Sequence, residues 1–165
     1  MSADLVVAPA TAEDLPVLAE LMAASSLLLR YGTTRDTALA ALVRARRAGD
    51  VLLTGRPAGA PPRGLAWVIP SRILTGAAYL RLLLVAPSEQ RTGLGARLLA
   101  AAENRARGGA NHLVLLVTAD NTGARRFYER HEYRHVGDLP DFARPGLAEA
   151  LYQKALRPPA DRLSV

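Results

Sequence analysis

The run from Tyr79 to Thr118 limits what this chain can fold into more than any other part of it. An apolar, strand-like segment, Tyr79 to Val85, leads into the turn Gln90-Arg91-Thr92-Gly93-Leu94-Gly95 and then an Ala/Leu-rich helical run from Ala96. That helix, expected from about Leu94 to Arg107, stops at Gly108-Gly109 before a Val/Leu-dense strand, His112 to Thr118. Strand, helix and strand within roughly forty residues make a parallel crossover, which is right-handed in nearly all folds. The turn is also a place to hold phosphate. Its two glycines remove side chains that would keep a ligand from the backbone, and the first-turn N–H groups have no partner inside the helix. Arg91 adds a positive charge beside them.

With 165 residues, half of them apolar, the chain is expected to form one compact domain over 1–157, with 158–165, which holds Pro158-Pro159, as a loose tail. There is no cysteine, which excludes a disulfide framework or a thiolate metal site and fits a reducing cytosol. Met1 to Ala10 lacks the basic and long apolar parts of a signal peptide, and no apolar run approaches a membrane span. A soluble, cytoplasmic protein with no membrane partner is expected. The formal charge of +6 invites a nucleic-acid reading. Against it, the arginines are spread along the whole chain, with short clusters at Arg44, Arg46 and Arg47 and at Arg125 and Arg126, no aromatic interleaving and no nucleic-acid motif. No nucleic-acid partner is expected.

The remaining elements follow from periodicity and punctuation. A strand at Leu5 to Ala8 precedes a helix start at Thr11 with Asp14 three residues on, carried by Leu15, Leu18, Leu21 and Met22 to about Ala24. Ser25 to Thr34 reads as a break, and Thr34 to Ala48 as a second helix. Val51 to Thr54, Gly64 to Ile69 and Ala78 to Val85 read as antiparallel strands, with a loop at Gly55 to Pro62 and a turn at Thr75-Gly76. After Thr118 come a short helix, Thr122 to Arg130, a strand near Tyr133 to Val136, a loop with Pro140 and Pro145, and a strand near Ala148 to Leu156.

Three kinds of nucleotide site use a glycine turn before a helix. A Walker loop needs Lys and then Ser or Thr at the helix start, where this chain has Ala96 and Arg97. A dinucleotide fold would use Gly93-Leu94-Gly95 with Asp120 as the ribose acid. However, Leu98 holds its third glycine position, the turn comes late after Val85, and too little chain follows Asp120 for a second half-sheet. The third pattern fits best. Gln90-x-x-Gly93-x-Gly95 after Val85-Ala86-Pro87, then a helix, a strand and Asn121-x-x-Ala124-x-x-Phe127-Tyr128-Glu129-Arg130, resembles the GNAT superfamily of acyl-CoA-dependent N-acetyltransferases.

The resemblance implies an α/β fold of the α+β type, a mixed, mostly antiparallel sheet flanked by helices with one parallel junction. It implies acetyl-CoA as cofactor, a primary-amine acceptor as partner and, by family habit, a homodimer. Backbone at Leu83, Leu84 and Val85 would pair with pantetheine, Gln90 to Ala96 (with Arg91, Thr92, Gly93, Leu94 and Gly95) would wrap the pyrophosphate, and Asn121, Ala124 and Tyr128 would border the arm and its sulfur. Relatives carry a glycine before the aromatic that follows this helix, where this chain reads His131-Glu132-Tyr133.

Making an amide from a thioester needs a neutral amine, a held oxyanion and a departing thiolate. Tyr128 is the candidate acid, since a phenol can donate to a thiolate held close. The competing account is that Phe127 and Tyr128 only anchor a short helix to the sheet; Phe127 is expected in the core on either account. Asn121 is also a good helix cap. No carboxylate lies between Tyr79 and Leu84 to act as base, which leaves Glu20, Asp138 and Asp141 open. Trp67, Tyr79 and Tyr31 are candidate acceptor walls, with the acceptor over Ser25 to Thr34 and Asp138 to Leu147. The three histidines show no metal spacing. A silent CoA-binding module and an arginine-mediated nucleic-acid binder are the alternatives.

Overall fold

The computed structural model describes residues 4–156, without the side chains of 71–73, so the expected tail lies outside the described residues. Seven strands and five helices follow one another among the described residues: β1 Leu5–Pro9, α1 Leu15–Ala23, α2 Ser26–Leu29, α3 Arg35–Arg47, β2 Val51–Pro57, β3 Gly64–Leu74, β4 Ala77–Val85, α4 Leu94–Ala106, β5 His112–Thr118, α5 Thr122–Arg130, β6 Arg134–Arg144 and β7 Leu147–Ala155. The strands form one sheet in the order β1-β2-β3-β4-β5-β7-β6. The pair β4 and β5 is parallel, whereas β1 with β2, β2 with β3, β5 with β7 and β6 with β7 are antiparallel. This is the mixed α/β, mostly antiparallel class expected.

The chain divides into two compact units, one made of residues up to Val68 with Leu82–Arg105, the other of Ile69–Arg81 with the chain from Ala106. In the first, α1 buries Leu15, Leu18, Ala19 and Met22, and α3 buries Ala38, Leu42 and Ala45. The start of α1 reverses the expected roles. Asp14, not Thr11, is the N-cap residue, and its carboxylate accepts from the Thr11 N–H at 2.9 Å and the Thr11 hydroxyl at 3.0 Å while pairing with Arg56 at 2.9 Å. A full capping box starts α3: Thr34 Oγ1 accepts from the Thr37 N–H, and Thr37 Oγ1 from the Thr34 N–H. The Arg44, Arg46 and Arg47 cluster falls in its last turn, where cations complement the helix dipole.

Two sequence expectations change here. The break at Ser25 to Thr34 contains the one-turn helix α2, which Ser25 caps. The loop expected from Gly55 instead continues β2 to Pro57, because Gly55 and Arg56 pair with Val7 and Val6 on β1, and Gly55 pairs with Gly64 on β3. Those two glycines make a bare patch that receives α4. A methyl group on Gly64 would come within 2.7 Å of Leu98 Cδ1, and one on Gly55 within 2.7 Å of Leu94 Cδ1. Leu94 and Leu98 are accordingly fully buried. The close approach that a helix glycine would have allowed is made by glycines on the strands.

In the second unit the parallel ladder comprises four pairs, Ala77↔His112 to Leu80↔Leu115. β5 continues to Thr118, pairing there with β7 through Thr118↔Glu149. β6 runs through Pro140 to Arg144, much longer than expected. It lies at the sheet edge and has register shifts after His135 and Leu139, the two settings in which a strand tolerates proline.

Candidate active site

The turn before α4 owes its shape to residues in left-handed conformation. Arg91 has φ 64° and Gly93 φ 91°, after a 3-10 turn over Pro87–Glu89. Gly93 has open space where a Cβ would go, so glycine is required there by the backbone angle and not by crowding. Thr92 ties the turn together: its hydroxyl donates to the Glu89 carbonyl at 2.7 Å and accepts from the Leu94 N–H at 3.4 Å. The first ladder bond of the helix runs from the Arg97 N–H to the Gly93 carbonyl at 3.1 Å. The N–H groups of Gly93, Gly95 and Ala96 precede that ladder, at a helix end that carries partial positive charge. Gln90, Arg91, Thr92 and Gly93 are exposed, Gly95 and Ala96 half-buried. This donor set, with the Arg91 charge, suits a diphosphate. The Leu94 side chain is core, leaving only its main chain at the turn. Leu83, Leu84 and Val85 are half-buried on β4.

Helix α5 buries a single residue, Tyr128. Asn121 caps it, Oδ1 accepting from the Ala124 N–H at 3.1 Å, and Ala124 is half-buried. The helix ends in a Schellman motif: the Tyr133 N–H donates to the Tyr128 carbonyl at 3.0 Å and the Glu132 N–H to the Glu129 carbonyl at 3.1 Å. Glu132 takes the left-handed position at φ 69°, as the glycine of relatives would. The motif's apolar contact is Tyr133 against Tyr128, rings 5.5 Å apart and edge-on. Tyr128 meets Phe127 at 5.3 Å in the same manner. Phe127 itself is only half-buried, because its neighbour takes the inward position. Burial pushes the Tyr128 phenol well above its ordinary pKa, and Tyr79 adds to the rise.

A further network holds α5 to β7. The Tyr152 hydroxyl donates to Glu129 Oε1 at 2.8 Å and accepts from Arg125 Nε at 3.0 Å, and Arg125 also reaches the Ala119 carbonyl at 3.1 Å. Burial raises the Tyr152 phenol, Arg125 offsets part of that, and Glu129 adds to it. Arg125 and Glu129 stand one helical turn apart, and only that spacing hinted at the arrangement. Tyr152 is fully buried.

The other candidates have structural places. Trp67 is 5% exposed and donates to Asp50 Oδ2 at 2.8 Å, so it is a core residue of its unit, while Tyr31 and Tyr79 are half-buried. Glu20 faces Arg35 at 3.4 Å, Asp138 accepts from His135 at 2.9 Å, and the Asp141 carboxylate takes the Gly146 N–H in the β6–β7 turn. Of the two acceptor segments, Ser25 to Thr34 carries α2 and Asp138 to Leu147 is the β6–β7 hairpin. Among the described residues no cluster of His, Cys, Asp or Glu could hold a metal.

No curated protein matches the chain. Solved structures do. An N-acetyltransferase from Staphylococcus aureus Mu50 superposes with TM-score 0.79 at 18% identity, covering 94% of this chain and all of that one. YncA from Salmonella typhimurium, solved with its cofactor acetyl-CoA, gives 0.75 at 18% identity over 94% of this chain and 96% of its own. The ribosomal-protein-S18-alanine N-acetyltransferase of Escherichia coli gives 0.76 at 16% identity over 98% and 100%. At these identities the likeness is one of fold. The sequence match is to the model of the acetyltransferase (GNAT) family, over residues 28–133, from α2 through the turn, α4, β5 and α5 to Tyr133. With most of its length inside that match and its sheet built to the same plan, the chain belongs to the GNAT acetyltransferase family.

Proposed function

We propose that this chain moves an acetyl group from acetyl-CoA to a primary amine of a small molecule or peptide, by direct attack in a ternary complex. The observation that carries this reading is the opening of α4. An exposed turn, left-handed at Arg91 and Gly93, precedes a helix whose first N–H groups stand ahead of the ladder, inside the segment matched to an acetyltransferase family. Acetyl-CoA, when bound, supplies the acetyl group activated as a thioester. The amides from Arg91 to Ala96 and the Arg91 guanidinium hold the diphosphate, flanked by Gln90 and Thr92. Main-chain groups of Leu83, Leu84 and Val85 pair with the pantetheine arm, and an N–H near Leu84 or Val85 donates to the thioester carbonyl oxygen. Asn121 and Ala124 border the arm.

Tyr128 keeps its proton throughout. A phenol raised by burial is a weaker acid than a free one, so its role is to donate a hydrogen bond to the sulfur as negative charge gathers there. Holding amine and thioester together contributes the most, on the order of 7 to 11 kcal/mol in favourable systems.

The test is calorimetric titration with acetyl-CoA alongside a thiol-release screen across a panel of primary amines. Binding with amine-dependent thiol release is the expected result. Binding without release from any amine would point to a silent CoA module, and absence of binding removes the reading. With an acceptor found, Tyr128→Phe is expected to lower kcat by about 10- to 100-fold while leaving the acetyl-CoA Kd within about threefold.

A further inference from the structure

Acylation of an amine requires its nitrogen to lose the ammonium proton, and no residue placed so far takes it. Glu20 and Asp138 have side chains 62% and 52% exposed and are paired with Arg35 and His135, while Asp141 serves a turn. Among the described residues the buried carboxylates are Asp14, Glu103 and Glu149. Asp14 is committed to Thr11 and Arg56, and Glu103 lies on α4.

Glu149 has a different setting. It lies on β7, 5% exposed, directly across from Thr118 of β5. Paired residues share a sheet face, and the face alternates along each strand. The pairs Thr118↔Glu149 and Leu116↔Leu151 therefore lie on one face, and Tyr79↔Val114 brings Tyr79 to it. Ala150, Tyr152 and the Ala150 partner Asp138 lie on the other. Thr118 is also beyond Leu115, the last β5 residue laddered to β4 among the described residues. Glu149 thus stands beside the part of β5 whose β4-side edge has no rung, the kind of edge to which an extended ligand can add.

Electrostatics agree with this placement. The Tyr79 phenol is raised first by burial, lowered by Arg81 and raised again by Glu149, and Tyr79 in turn raises Tyr128. Tyr79, within the electrostatic reach of both Glu149 and Arg81, and Arg144 of β6, paired with Leu147 two residues along β7, are charged or titratable groups on the Glu149 side of the sheet.

We infer that Glu149 is the proton acceptor for the incoming amine, a carboxylate on the Tyr79 face of the sheet that draws a cationic primary amine to the open edge of β5. This rests on the acetyltransferase reading above. One ammonium proton passes to the Glu149 carboxylate, which later releases it to water. The freed nitrogen lone pair forms the N–C bond as the thioester C–S bond breaks, sulfur leaves with the bonding pair as thiolate, and the second nitrogen proton goes to that thiolate. The products are an N-acetylated amine, a free thiol and one proton in solvent. A buried carboxylate at this place also selects for cationic acceptors.

The experiment compares wild type with Glu149→Gln on the best amine of the panel, reading kcat, KM, acetyl-CoA Kd and thermal unfolding. At neutral pH Glu149→Gln is expected to lose about 100-fold or more in kcat/KM with its acetyl-CoA Kd unchanged. The deficit should shrink as the pH approaches the acceptor's own pKa, about 10.4 for an alkyl amine, where solvent supplies the neutral nucleophile. Glu149→Gln matching wild type, or a deficit constant with pH, overturns the assignment while the acetyltransferase reading stands. If wild type releases no thiol with any amine, both fall together. Should Glu149→Gln not fold, Glu149→Asp carries the test: retracting the carboxylate by one methylene is expected to cost about tenfold in kcat, and a wild-type kcat refutes the role.

Discussion

Gly93 and Glu132 both take a positive φ at the ends of different helices, and only one of them is glycine. At Gly93 the angle, φ 91°, is what the residue provides, since the space around it is open. Gly93→Ala is expected to destabilise by about 1 to 2 kcal/mol from backbone strain. By turning the first N–H groups it should also weaken acetyl-CoA binding by about tenfold or more, read by chemical denaturation and calorimetry. Glu132 carries the strain that a glycine would avoid, and its exposed carboxylate pairs with Lys154 at 3.6 Å. Glu132→Gly is therefore expected to stabilise the protein by about 0.5 to 1 kcal/mol in urea denaturation, and a loss of stability would show that the Lys154 pair outweighs the backbone term. The sequence showed the departure at Glu132 from the usual glycine. It did not show that the left-handed turn forms regardless, because the Schellman bonds to Tyr128 and Glu129, together with the Tyr133 ring against Tyr128, hold it there.

At the scale of elements, the seat of α4 on β2 and β3 positions the anion turn. Gly55 and Gly64 face each other across the two strands and admit Leu94 and Leu98 to near contact with the backbone. Gly64→Ala would press on Leu98 Cδ1 and, at 3.2 Å, on the Leu84 carbonyl oxygen, which cannot turn aside as a side chain can. A loss of about 1 to 3 kcal/mol in denaturant unfolding, with the m-value unchanged, is expected. Helical periodicity identified Leu98 as apolar but could not show that its partners are glycines some forty positions earlier in the chain. The ends of β2 and β6 were hidden for a related reason. Proline and glycine in a local reading end a strand, yet β2 runs through Gly55, which is paired on both sides, and β6 runs through Pro140, at the edge of the sheet.

For the molecule as a whole, stability in acid depends partly on Asp14. Burial alone would raise its carboxyl, but the Thr11 N–H, the Arg56 guanidinium and the Thr11 hydroxyl outweigh that and hold the pKa below the ordinary value. A carboxyl depressed in the folded state adds stability above its unfolded pKa of about 3.9, and that stability is lost as pH falls through the folded value. Unfolding free energy is thus expected to decline below about pH 4, and Asp14→Asn to flatten the decline while costing about 1 to 3 kcal/mol at neutral pH, as read by urea melts across pH. The net charge of +6 has a matching account at this scale. The Arg44, Arg46 and Arg47 cluster ends a helix and Arg125 binds Tyr152, so part of the basic excess serves the fold. No helix among the described residues is long and apolar enough to cross a membrane.

By itself the sequence determined the parallel crossover, the glycine turn that opens α4, the helix α5 with Asn121 at its start, and through these the family. Each is set by neighbours within a turn or two, where spacing, capping chemistry and hydrophobic period act directly. Tertiary structure decided which glycines make room for α4, which phenol and guanidinium lock α5 to β7, and which carboxylate reaches the face of the sheet that carries Tyr79. Those depend on strand register, which places residues far apart in the chain side by side, and a slip of one position would send Glu149 to the opposite face.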